Sequence, residues 1–299
     1  MRKVFLSLAV LAGMTASAQL INVGAIKKVN LPVGVAANQT AISPDGSFAV
    51  INNDGGLSKV DLATGKTAKI AQSAAFLDVE ISEDGSTIVY CEPSYQNNLR
   101  FITLKSVNLN NGKSATIVAP TRNLQGFALS KNSVGAVDNG KFTSKNLDGT
   151  AGALIPVASI NRGALCVTVN GITNNISPQG AAGQSYLWPS ISPDGKKVLY
   201  YLVSGGAYVC NLDGSNAVSL GAIRAPRWYN NDIVVGMLDK DNGEVITSSK
   251  IVAASIDGKV KQDLTKESSM AMYPVVDAEG DNIAFVTSQG ELFIMNINK

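Results

Sequence analysis

The sequence contains no histidine, and this absence excludes more chemistry than any residue present suggests. Ser-His-Asp and Cys-His nucleophilic catalysis, His-ligated zinc and imidazole acid/base steps all need a side chain that is missing. Aromatic residues are also sparse, at 6% of the chain, and cysteine occurs three times. Three thiols form at most one disulfide. Cys91, Cys166 and Cys210 each lie in an apolar, strand-like stretch, so we expect buried, unpaired thiols acting as small hydrophobes. Long apolar runs are absent apart from 4–14, which at eleven residues is too short to span a bilayer.

That short run follows Arg2 and Lys3 and precedes Ala16-Ser17-Ala18, the layout of a secretory signal peptide at 1–18 with cleavage between Ala18 and Gln19. No cysteine follows the run to carry a lipid anchor, so the expected compartment is periplasmic or extracellular, with no membrane insertion of the mature chain 19–299. Removing Arg2 and Lys3 from the 25 basic residues leaves them equal in number to the 23 acids. A neutral chain has no basic surplus to draw it to nucleic acid or an anionic surface.

What the chain does have is repetition. AISPDGSFAVI from Ala41, EISEDGSTIVY from Glu80, SISPDGKKVLYY from Ser190 and VVDAEGDNIAFV from Val275 share a strand, a turn and a second strand. Pro44 and Pro193 preset the turn backbone, Asp45 and Asp194 suit its third position, and the following glycine takes the left-handed conformation. Further on in each unit comes a third strand ending in a second turn, as in SVNLNNG, SKNLDG and VCNLDG. The first turns fall at Ser43, Ser82, Ser130, Ser192, Tyr229 and Asp277, with room for one degenerate unit near Asn161. A period of roughly 40 residues with four antiparallel strands per unit describes a β-propeller. Seven blades are expected, or six if 150–185 is only a decorated connection. The last unit ends after its third strand, and 25–31, which alternates like a strand, is placed to supply the fourth and close the ring.

The Ser-Pro-Asp-Gly unit followed by Asn-Leu-Asp-Gly resembles the WD40-like repeat of TolB-type periplasmic propellers, most closely over 188–220. The resemblance implies a bacterial envelope propeller that works through protein or peptide contacts. Departures are visible: isoleucine replaces the family's aromatic before Ser-Pro-Asp-Gly, the third and sixth turns read SKNS and YNND, and about 20 residues between cleavage and the first unit leave no space for a separate α/β domain.

In a propeller the loop entering each first strand sits at the mouth of the central channel, where function collects on a rigid scaffold. The entry positions of the units include Gln39, Asp78, Gln125, Trp188, Arg224 and Tyr273, the expected ligand-binding set. Trp188 and Tyr273, each followed by proline, would offer rigid aromatic faces, with Arg224 and Gln125 beside them. The alternative is that these aromatics pack between blades and stiffen their loops. Trp228, replacing the isoleucine of other blades, is expected in the core. Asp78 is the one acid placed at the mouth, with Glu80 two residues on, so the carboxylate pair of a glycosidase is not evident and no catalytic residue is assigned. The acid-rich run 239–244 fails the spacing of a calcium loop and reads as a hairpin extension, so no metal or cofactor is expected. These residues describe a monomeric, non-catalytic binding module for an envelope protein, peptide or glycan. A carbohydrate-active hydrolase or lyase using channel carboxylates, and a structural scaffold, are the alternatives.

Overall fold

The computed structural model describes residues 19–53, 55–72 and 79–299, and within them almost every regular element is a strand. The expected leader 1–18 and Asp78 lie outside the described residues. After β1 (Val23–Lys28) come seven sheets in chain order. Blade 1 holds β2 (Gln39–Ile42), β3 (Phe48–Asn53), β4 (Gly56–Asp61) and β5 (Thr67–Ala71). Blade 2 holds β6 (Glu80–Ile81), β7 (Thr87–Gln96), β8 (Leu99–Asn108) and β9 (Ser114–Thr121). Blades 3 and 4 have three strands each: β10 (Leu124–Ser130), β11 (Ser133–Asp138) and β12 (Lys141–Asn146), then β13 (Val157–Asn161), β14 (Ala164–Val169) and β15 (Ile172–Asn175). Blade 5 comprises β16 (Tyr186–Ile191), β17 (Lys197–Leu202), β18 (Gly206–Asn211) and β19 (Val218–Gly221). Blade 6 comprises β20 (Arg224–Trp228), β21 (Ile233–Asp241), β22 (Ile246–Ser255) and β23 (Lys261–Asp263). Blade 7 is β24 (Ala271–Val276), β25 (Asn282–Thr287) and β26 (Leu292–Ile297), with β1 as its outer strand.

All pairings are antiparallel, and the seven-bladed all-β propeller anticipated from the repeats is the observed fold. The degenerate unit is real: Asn161 pairs with Ala164 across a two-residue turn, Arg162-Gly163, with both residues at positive φ. The closing strand starts and ends earlier than its alternation suggested. Val23 meets Ile297 and Lys28 meets Phe293, and the segment then turns inward through Val29 and Pro32 toward β2.

The turns close by side-chain chemistry that the sequence announces. In blade 1 the Asp45 carboxylate accepts from the Ser43 hydroxyl at 2.7 Å and from the Ser47 amide at 3.0 Å, while Phe48 donates its amide to Ser43 Oγ at 3.0 Å. The same device recurs at Ser82 and Asp84, at Ser192 and Asp194, and in the second turn of blade 6 at Ser255 and Asp257. The serine hydroxyl is the largest cause holding each of these four carboxyls below its ordinary range, down to about 2 for Asp257. A folded-state pKa that is depressed gives stability present above the ordinary carboxylate range and lost as pH falls through the folded value. Thermal melts recorded from pH 6 downward should therefore hold level and then drop toward pH 2, and Asp257→Asn should flatten that drop. An unchanged acid limb in this variant would refute the assignment.

The core lies between blades rather than beneath any single sheet. Val89, Leu104 and Ile117 of blade 2 meet Val134 of blade 3, and Leu165 of blade 4 meets Val198 and Tyr200 of blade 5. The largest cluster joins blades 6, 7 and 1 and includes Ile21 and Val29 from either side of β1. Cys91, Cys166 and Cys210 are buried and, among the described residues, form no disulfide, as expected, and burial pushes the Cys210 thiol up to about 12.

Candidate functional site: the central channel

The first strand of every blade, β2, β6, β10, β13, β16, β20 and β24, is an edge strand of its sheet. All seven contribute to the wall of one central cavity of about 1040 Å³. Because an edge strand has hydrogen-bonding groups with no ladder partner on one side, the wall offers backbone as well as side chains.

The wall is layered by position relative to the first turn of each blade. The residue immediately before that turn is Ile42, Ile81, Leu129, Ile160, Ile191 and Val276, with Trp228 in blade 6, and all seven line the cavity as an apolar girdle. Trp228 is thus a channel residue as well as a packing residue, since it also rests against the cluster between blades 5 and 6. Its placement corrects the expectation that it serves the core alone. One residue earlier the layer turns polar, with Glu80, Ser190 and Arg227 interspersed among Ala41, Ala128 and Val275. Trp228 Nε1 and Ser190 Oγ are both buried without a hydrogen-bond partner among the described residues.

Among the described residues the charged side chains lining the cavity are Glu80, Asp194 and Arg227. Asp194 is committed to its own turn, accepting from Ser192 and from the Lys196 amide. No three His, Cys, Asp or Glu side chains of the described residues gather closely enough to hold a metal ion.

A second device shapes the entry. In blades 5, 6 and 7 the ladder between the first and second strands slips between Leu187 and Ser190, between Arg224 and Arg227, and between Met272 and Val275. Each slip holds a residue before proline at positive φ: Trp188 at 48°, Ala225 at 44° and Tyr273 at 52°. Left-handed backbone is costly for residues with a Cβ, and bulges re-aim the side chains they carry.

The expected contact residues fare differently at these positions. Trp188 lines the cavity and stands edge-on to Tyr201 of its own blade, with ring centroids 5.3 Å apart. Gln125 also lines it, its Oε1 accepting from the Gly140 amide at 3.0 Å. Gln39 is exposed at the start of β2, opposite Asn52. Arg224 opens β20 and donates to Asp239 Oδ2 at 2.5 Å, a carboxylate that is almost wholly buried. Tyr273 is half-buried against the cluster of blades 6, 7 and 1. Trp188 and Gln125 therefore share the cavity wall, whereas Gln39, Arg224 and Tyr273 occupy the entry ends of their strands. The run 239–244 belongs to the long β21–β22 hairpin, where Asp241 and Asn242 accept from turn amides.

No family model and no curated protein matches the chain. Solved structures do match it. An oligogalacturonate lyase in complex with manganese is 16% identical, with 89% of this chain and 78% of that chain covered at a TM-score of 0.51. A putative TolB from Agrobacterium tumefaciens is 16% identical, with 87% and 90% covered at 0.52. A chain of the mitotic checkpoint complex is 10% identical, with 100% and 99% covered at 0.63. Identities this low speak for architecture, since one propeller scaffold hosts unrelated activities. The chain is a seven-bladed β-propeller, similar in fold to TolB and to oligogalacturonate lyase.

Proposed function

We propose that the protein is an exported, non-catalytic binding module of the bacterial envelope, which takes a protein segment, peptide or glycan into its channel mouth. The observation that carries this reading is the layered wall. The apolar girdle includes Trp228, whose indole N–H lacks a partner among the described residues, as does Ser190 Oγ in the next layer, while Asp194 is spent on its turn. Such a wall rewards a ligand that brings apolar surface and a few hydrogen-bonding groups. Trp188 and Gln125 supply contacts within the cavity, with Gln39, Arg224 and Tyr273 extending the set at the rim. The likeness to a TolB supports an envelope location, and no helix among the described residues is long and apolar enough to cross a membrane.

The expected result is capture of one envelope component by crosslinking to the protein. Trp188→Ala should weaken that capture by about 2 kcal/mol or more, as for a buried aromatic anchor, and Trp188→Phe by less. Equal capture by native protein and Trp188→Ala would remove the mouth as the site. A second reading draws on the likeness to an oligogalacturonate lyase and on Glu80 in the wall: turnover of acidic oligosaccharides, abolished by Glu80→Gln or Asp78→Asn, would replace binding by catalysis.

A further inference from the structure

The sequence holds four Asn-Gly pairs, at 111–112, 139–140, 170–171 and 242–243, and none of these residues lines the channel. An asparagine followed by glycine has a reactive partner beside it. The glycine amide nitrogen can close a five-membered ring on the asparagine side-chain carbonyl carbon, because glycine has no Cβ to crowd the approach. In a folded chain this closure is held back by a hydrogen bond that uses the glycine N–H, and by anchors that fix the asparagine side chain.

Three of the pairs are restrained in this way. Gly112 donates its amide to the Asn108 carbonyl at 2.9 Å, and Asn111 Oδ1 accepts from the Lys113 amide at 2.9 Å. Gly243 donates to Asp241 Oδ1 at 3.0 Å, and Asn242 Oδ1 accepts from the amides of Glu244 and Val245. Gly140 donates to Gln125 Oε1 at 3.0 Å. At 170–171, neither the Asn170 side chain nor the Gly171 amide has a hydrogen-bond partner among the described residues.

Blade 3 supplies a matched comparison. Asn139-Gly140 and Asn170-Gly171 are the same two-residue turn between the second and third strands of neighbouring blades, closed by Asp138 with Lys141 and by Val169 with Ile172. The asparagines lie at φ 48° and 52° and the glycines at 75° and 79°, and both asparagines are exposed. Ring closure rotates the Asn-Gly peptide out of this turn, so it waits on local opening. Opening is easier in blade 4, where β15 has four residues against six in β12, and where no side chain clamps the glycine amide.

We propose that Asn170 is a self-modification site, at which the chain converts asparagine to aspartate and isoaspartate with water as the only co-reactant. Hydroxide takes the Gly171 amide proton, the nitrogen bonds to Asn170 Cγ, and the Cγ–Nδ2 bond breaks to release ammonia, which takes its third proton from water. Water then adds to one of the two carbonyls of the ring. Opening at Cγ restores the original peptide bond and leaves aspartate; opening at the backbone carbonyl leaves the chain running through the side chain, as isoaspartate. One amide and one water become one carboxylate and one ammonium ion, and nothing is oxidised or reduced.

Either product puts a negative charge at a turn flanked by Ile172 and beside Leu154, both mostly exposed. Isoaspartate also lengthens the backbone by one carbon, which a two-residue turn does not accommodate. The Val169 and Ile172 pair and the hydroxyl bond of Thr168 with Thr173 at 2.7 Å are then lost, and β15 loosens. Blade 4 thereby changes with time and without an enzyme, whatever occupies the channel.

The test holds the whole protein in mildly alkaline buffer made with heavy-oxygen water and reads the label by peptide mapping that separates aspartate from isoaspartate. Label should enter at Asn170 at least about tenfold faster than at Asn111, Asn139 or Asn242, the weight of about one hydrogen bond. Gln125→Ala should raise the rate at Asn139 toward that of Asn170 and leave Asn111 and Asn242 as they were. In urea all four should react at similar rates, because the shared Asn-Gly sequence then decides. Equal rates at Asn139 and Asn170 in the native protein, or a lead of Asn170 that persists in urea, would overturn the proposal. The isoaspartyl form should exchange the Ile172 amide faster than Asn170→Asp, which carries the charge without the longer backbone; equal exchange would refute the loosening of β15. If Gln125→Ala does not fold, the native rates set against those in urea decide alone.

Discussion

Removal of residues 19–28 is expected to abolish cooperative folding. β1 pairs with β26 from Val23 to Lys28, and its loss uncovers the outer edge of blade 7. The residues ahead of it contribute as much. The amides of Leu20 and Ile21 both donate to Gln262 Oε1, at 2.7 and 2.9 Å, and Gln262 Nε2 donates back to the Ile21 carbonyl at 2.8 Å. Ile21 itself is 2% exposed within the cluster joining blades 6, 7 and 1. The ion pair of Lys28 with Glu291 is solvent-facing and adds little. Losing the strand ladder, the Gln262 clamp and a buried isoleucine together should exceed about 5 kcal/mol, the whole margin of many domains. Urea titration followed by circular dichroism checks this, with a peptide of residues 19–28 added back in trans to restore the transition. A truncated protein that unfolds with the native midpoint would show that closure is dispensable.

The second large effect is expected at Tyr200. Its ring is fully buried between Tyr186, with centroids 5.5 Å apart, and Tyr208, stacked at 5.6 Å. Truncation to alanine removes a large core side chain and two aromatic contacts, which costs about 3–5 kcal/mol. Tyr200→Phe keeps the ring and removes only the bond to Gln179, so about 1 kcal/mol is expected, with faster proteolysis within 178–184 as its particular sign. Denaturant midpoints and limited proteolysis read both. If phenylalanine proves as costly as alanine, the hydroxyl clasp and not the ring holds blades 4 and 5 together.

The propeller is legible in the sequence because each blade repeats one small piece of turn chemistry. Ser43 with Asp45, Ser82 with Asp84 and Ser192 with Asp194 bond alike, and side chains that bond within two residues leave their mark on the local sequence. The three-stranded blades were less legible. The segments 147–156 and 176–184 do not alternate, and whether such a stretch joins its own sheet depends on partners such as Tyr186 and Tyr200 that the linear pattern does not connect to it. Of the channel, Trp188 and Gln125 could be found by aligning the units, because alignment fixes height along a strand. Direction is another matter. The left-handed backbone at Trp188, Ala225 and Tyr273 decides where each side chain goes, and Arg224 is claimed by a carboxylate fifteen residues away on the next strand. Trp-Pro and Tyr-Pro were the visible signals of the bulges, while Ala-Pro in the sixth unit had nothing to single it out.

The pairing of β1 with β26 also sets a timetable. β1 precedes its partner by the length of the whole ring, so the sheet of blade 7 cannot be completed until the six other blades have been synthesised. Because Val23 and Ile297 meet at one seam, a short linker could join the strands there and the circle could be cut between two other blades. Circular permutants opened within 178–184 would keep every strand pair described above, while changing which blade has to wait.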